Sequence, residues 1–159
     1  MTTTFTEFCL RAGVAVLLAG LLGLESSLKN KPVGMRTFMM VALGSACFTM
    51  ITLNFAASTL TEIESAVSVD PTRVIQGIIG GIGFLGAGAI MSNSEGTNVI
   101  RGMGTGAAVW TVGSIGVACA FGYLWEAGFI SAVALTILTV ASWFENRAKD
   151  ISESIDKSD

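Results

Sequence analysis

There is no histidine among the 159 residues. That removes histidine general acid–base catalysis, histidine–nucleophile pairs and histidine-ligated metal sites in one step. Charge is also scarce: 13% of residues are Asp, Glu, Lys or Arg, where a soluble domain carries about a quarter. The formal net charge of −3 argues against nucleic acid as a partner. Cysteine is sparse too. Cys9, Cys47 and Cys119 are far apart, form no Cys-x-x-Cys, and lie in or beside apolar runs, where they read as small packing residues rather than a disulfide framework. No activated nucleophile and no cofactor motif is apparent, so the expectation is a protein that is not an enzyme and carries no cofactor.

What the chain has in quantity is apolar sequence, 52% of all residues. A membrane-spanning helix needs about 20 mostly apolar residues, and five stretches qualify. They run from Phe5 to Leu24, Thr37 to Ala57, Pro71 to Met91, Gly102 to Ala120 and Gly128 to Phe144. The first makes a poor signal peptide, because Arg11 interrupts it and no A-x-A-like site follows. The predicted fold is therefore an all-α polytopic bundle of about five transmembrane helices. A transmembrane domain over 1–145 is followed by a short polar cytoplasmic tail, 146–159.

The charges orient this bundle. Lys29, Lys31 and Arg36 lie between the first two spans, Arg101 before the fourth, and Arg147, Lys149 and Lys157 in the tail. With these seven in the cytoplasm, only Arg11 and Arg73 face outside, which is the positive-inside pattern. The N-terminus is expected outside and the C-terminus in the cytoplasm.

Twelve of the 19 glycines fall between Gly77 and Gly116. Lipid cannot drive helices together by hydrophobicity, so close backbone contact through small residues takes over. In the fourth span Gly102, Gly106, Val109, Gly113, Gly116 and Ala120 form one stripe at helical spacing. In the third, Gly77, Gly81 and Gly88 share one face and Gly80, Gly83 and Ala87 another. That slim helix is expected at the centre of the bundle, and leftover glycine faces point to a homodimer or larger oligomer. Gly81-x-Gly83-x-x-Gly86 imitates a dinucleotide-binding loop, but it sits inside an unbroken apolar span with no strand before it.

Polar residues gather at both ends. Arg11 lies about 9 Å inside the first span, at roughly 1.5 Å per residue, and Asp70 is its expected partner, with Arg73 and Gln76 nearby on the third span. Asp70 also suits the N-cap of that helix, with Pro71 in its first turn. The cytoplasmic set comprises Glu25, Arg36, Thr37, Asn98, Arg101 and Thr105. Such residues either line a solute or anion path or serve as topology anchors and structural ion pairs; polar groups inside a membrane favour a site. Trp110 falls in mid-span, where its indole N–H is expected to find a partner inside the bundle. Trp125, Trp143 and Tyr123 sit near span ends as interface anchors.

Several motifs in order carry a family resemblance. Gly81 to Met91 (GIGFLGAGAIM), Asn98 to Trp110 (NVIRGMGTGAAVW) and Ile115 to Val117 resemble the MgtC/SapB family of bacterial inner-membrane proteins. So do Arg11 to Glu25, Pro32 to Gly44 with its Gly-x-Arg-Thr, and Asp70 to Gly77. The resemblance implies a role in adaptation to low magnesium and in survival inside macrophages. It implies this either through modulation of other membrane proteins, including the proton-driven ATP synthase, or through transport of magnesium or another small solute. By resemblance the functional polar positions are Arg11, Glu25, Arg36, Thr37, Asp70, Arg73, Gln76, Asn98, Arg101, Thr105 and Trp110. The chain departs from the family in the loop from Ser92 to Ile100, with an extra residue between Val99 and Arg101, and in Gly104 and Gly106 around Thr105. It resembles a short form, lacking the ACT-like cytoplasmic domain of longer members. No carboxylate falls near mid-depth, so an anionic solute meeting Arg36 and Arg101 fits a transport path better than bare magnesium does.

Overall fold

The computed structural model describes residues 3–29, 31, 33–61, 70–91 and 102–156. Five α-helices account for nearly all of them: α1 (Phe5–Leu28), α2 (Met35–Thr61), α3 (Pro71–Met91), α4 (Met103–Phe121) and α5 (Leu124–Asp156). All five are long and apolar enough to cross a membrane, and no strand occurs among the described residues. The fold is an all-α polytopic bundle. Most helices overrun the apolar limits read from sequence, and α5 continues well past Phe144, because polar flanks extend a helix beyond the hydrocarbon core without breaking it.

The helix ends follow local chemistry. Thr4 and Glu7 form a reciprocal capping box at the start of α1, where the Thr4 amide donates to the Glu7 carboxylate at 3.2 Å. Asp70 accepts from the Thr72 amide at 2.9 Å and precedes Pro71, capping α3. Gly122, at φ 88°, closes α4. Its amide donates to the Cys119 carbonyl and the next amide, of Tyr123, to the Ala118 carbonyl, each at 3.0 Å. This left-handed stop turns the chain directly into α5.

In lipid, small residues dominate the faces that pack together, with a few large side chains such as Leu22 and Phe38 between them. Ala12, Ala15, Ala19, Leu22 and Ser26 recur at intervals of three and four along α1 and are buried. They face Phe38, Ala42, Ala46 and Met50 of α2. Gly23 lets the two backbones close up, since a Cβ there would stand 2.6 Å from the Met35 Cα. Many other large apolar side chains point outward: Leu17 is 70% exposed and Phe84 80% exposed. Around a membrane helix such residues are solvated by lipid, not stranded in water.

The central helix is α4, not α3. It touches all four others, and half of its apolar stretch is buried, against 17% for α3 and 11% for α5. The stripe of Val109, Gly113, Gly116 and Ala120 is buried as its spacing requires. A Cβ on Gly113 would collide with the Ile82 side chain, and one on Gly116 would lie 2.5 Å from the Ala42 carbonyl oxygen. By contrast, among the described helices α3 packs only on α4 and α2. Gly86 meets Gly106 backbone to backbone, but around Gly77, Gly81, Gly83 and Gly88 a Cβ would meet nothing within 4 Å. The glycines make α3 slim, yet among the described residues no neighbour comes up to most of it.

Candidate functional site

One polar cluster gathers where α1 begins and α4 ends. The Arg11 guanidinium donates to the Ala120 carbonyl at 2.8 Å and lies against Gly122, where a Cβ would stand 3.2 Å from it. The last carbonyls of a helix lack intrahelical partners and carry the negative end of its dipole. Arg11 thus neutralises the α4 terminus from half-buried surroundings. The expected partner, Asp70, is engaged elsewhere. Its carboxylate accepts from the Thr72 hydroxyl at 2.7 Å and lies 3.9 Å from Arg73 Nε. The Thr72 hydroxyl, then the Thr72 amide, hold the Asp70 carboxyl below the usual aspartate range. Arg73 and Gln76 are exposed on the first turns of α3. At the same end the Thr3 hydroxyl donates to the Asn54 side-chain carbonyl at 2.7 Å, tying the N-terminus to α2.

The other cluster centres on Glu25, whose side chain is only 9% exposed. It pairs with Lys29 Nζ at 2.5 Å and Lys31 Nζ at 3.1 Å. Lys29 also reaches α5, donating to the Leu138 carbonyl at 3.4 Å and to the Ser142 hydroxyl. A carboxylate at this depth is thus charge-compensated twice, and one of its partners staples α1 to α5. Next to it the Ser26 hydroxyl donates to the Val33 carbonyl at 2.6 Å, and the Ser27 hydroxyl accepts from the Met35 amide at 2.9 Å, fixing the turn into α2.

The remaining sequence-predicted residues do not join this pair of clusters. Arg36 and Thr37 are exposed on the first turn of α2. Thr37 opens an apolar groove of about 700 Å³ between α2 and α3, walled farther in by Gly44, Phe48, Gly81 and Leu85. Thr105 is buried at the start of α4. Asn98 and Arg101 lie outside the described residues. Trp110 is 52% exposed on the outer flank of α4, where it lines a second groove with Ile79 and Val117. It does not enter the bundle, because the inward seam at Val109 and Gly113 is too narrow for an indole. The bridging role of Lys29 and the anchor at Ser142 escaped the sequence reading, although the four-residue spacing of Glu25 and Lys29 is an ion-pair signal on a helix.

A five-helix membrane bundle with a small-residue seam and charge-compensated polar ends is the class these features define. The MgtC family model matches residues 13–147, and the chain belongs to that family. Its curated relatives include Protein SapB of Bacillus subtilis, 36% identical over 76% of this chain and 50% of the relative. Protein MgtC of Brucella abortus is 39% identical over 83% of this chain and 49% of the relative. The putative magnesium transporter YhiD of Escherichia coli is 31% identical over 84% and 59%. The chain spans about half the length of the curated relatives it matches. No solved structure matches it.

Proposed function

We propose that this membrane protein serves adaptation to low magnesium by docking on another membrane protein and altering its activity, the proton-driven ATP synthase being a target the family resemblance suggests. The observation that carries the reading is the open side of α3. That helix is buried over only 17% of its apolar stretch, and Gly80, Gly83 and Gly88 have nothing within 4 Å of a Cβ position. Exposed glycine lets a partner helix approach backbone to backbone, the contact that lipid-embedded helices use for association. The same kind of contact supports a homodimer or larger oligomer. The bundle sits in the bacterial inner membrane with its N-terminus outside, as the lysine and arginine distribution indicates.

Transport is the second reading, favoured by the name of the YhiD relative and by the Arg11 and Glu25 clusters at opposite ends of the bundle. Magnesium requires several carboxylate or water oxygens in octahedral order. Among the described residues no group of His, Cys, Asp or Glu could hold a metal, and Glu25 is already engaged by two lysines. An anionic solute meeting Arg36 is the better transport candidate. Flux in proteoliposomes separates the two readings. Docking predicts no magnesium, proton or anion flux above that of empty vesicles. Flux abolished by Arg101→Ala or Glu25→Gln, with helicity intact, would establish a path and overturn docking as the function.

A further inference from the structure

We propose that the groove between α2 and α3 binds one acyl chain of an anionic phospholipid, with Arg36 holding the headgroup phosphate. This site lies on the Gly77 and Gly81 side of α3, next to the Gly80 and Gly83 face, and stands whether or not the docking reading holds.

The groove has the dimensions of a lipid tail. It climbs α2 from Thr37 to Phe48, about 16 Å at roughly 1.5 Å per residue. One leaflet of a bilayer is about 15 Å of hydrocarbon, half of the ~30 Å core. The volume of about 700 Å³ is walled almost entirely by apolar atoms, and no charged residue among those described lines it. Gly44, Gly77 and Gly81 form part of the wall, and a Cβ on any of them would meet nothing within 4 Å. Among the described residues nothing fills the groove, which in a membrane opens toward hydrocarbon.

Charge marks the end at which the headgroup sits. Arg36 precedes Thr37 and lies one helical turn below Met40, which lines the groove. Arg36 is exposed on the first turn of α2, the end at which a spanning helix enters the headgroup region. Among the described side chains, the other cations at this end are engaged: Lys29 and Lys31 with Glu25, and Arg147 over the Trp143 ring at 5.9 Å. Among the described residues Arg36 has no hydrogen bond or ion pair, which leaves its guanidinium available to a headgroup. A guanidinium grips phosphate through two parallel donors. The Thr37 hydroxyl, at the mouth, can donate to a glycerol ester oxygen.

The test is native mass spectrometry of the purified full chain, released from detergent after incubation with phosphatidylglycerol or phosphatidylcholine of identical acyl chains. One basic residue at the membrane surface is worth about 1 kcal/mol toward an anionic lipid, about a fivefold preference. The expected result is one retained phosphatidylglycerol, favoured about fivefold over phosphatidylcholine. Arg36→Gln should remove the preference and Arg36→Lys should keep most of it. Gly81→Leu should displace both lipids. Gly44→Leu, from the opposite wall, does the same if Gly81→Leu disturbs folding as read by circular dichroism. Equal retention of the two headgroups, or a preference unchanged in Arg36→Gln, would overturn the proposal. So would lipid retention unchanged by a folded groove-filling variant, or a protein dimer that excludes lipid from the groove.

Discussion

Gly116 and Gly81 are the same residue in opposite situations. At Gly116 a side chain would drive into the Ala42 carbonyl, a backbone atom that cannot swing aside. At Gly81 a methyl group would enter open space. We expect Gly116→Leu to cost about 1–3 kcal/mol by overpacking, at the upper end because the obstacle is backbone. Gly81→Ala should stay within about 0.5 kcal/mol of the parent. Thermal unfolding in a mild detergent, followed by loss of helicity, checks both, and equal loss at the two positions would contradict the packing described. Both glycines were visible in the sequence as members of small-residue faces. Which face was occupied was not visible, because glycine states how near a neighbour can come, not whether one is there. Arg11 teaches the same limit: its partner is a backbone carbonyl, which has no letter in a sequence, whereas Asp70 was a visible and wrong candidate.

At the scale of the element, apolar length and caps made the five helices legible. A span must cover the hydrocarbon and no helix can leave its backbone unpaired there, so periodicity and length suffice. The start of α3 shows the caps at work. Asp70, outside the span, is held below its usual pKa by the Thr72 hydroxyl and amide. A group whose folded pKa is depressed contributes stability above its unfolded pKa and loses it as pH falls through the folded value. The first turn of α3 should therefore fray on acidification below the ordinary aspartate range. Asp70→Ala should fray it already at neutral pH, whereas Asp70→Asn should stay capped and lose the pH dependence. Hydrogen exchange of the Thr72 to Ile75 amides across pH would show this, and exchange identical in the parent and Asp70→Ala would contradict the cap. What could not be read at this scale was helix order in space. The glycine count favoured α3 as the centre, but α4 holds that place because its single continuous stripe serves α2 and α3 at once.

For the whole molecule, charged contacts tie helices together at both ends, and among the described residues α3 is open along one side. Arg11 caps α4 at one end; Glu25, Lys29 and Ser142 join α1 to α5 at the other. With seven of nine basic residues on one side, a cysteine introduced at Arg147 should be labelled by an impermeant maleimide only after the inner membrane is breached. One introduced at Arg73 should be labelled in intact cells, and the reverse pattern would overturn the orientation.

The claim that the open side of α3 is a working surface is tested most directly by photo-crosslinking in native membranes. A photoreactive residue at Gly83, on the open face, is compared with one at Leu17, which is equally outward on α1. The account predicts a discrete protein adduct from position 83 that is absent from position 17. Lipid adducts alone from both positions, with growth at low magnesium unchanged by Gly83→Leu, would contradict it.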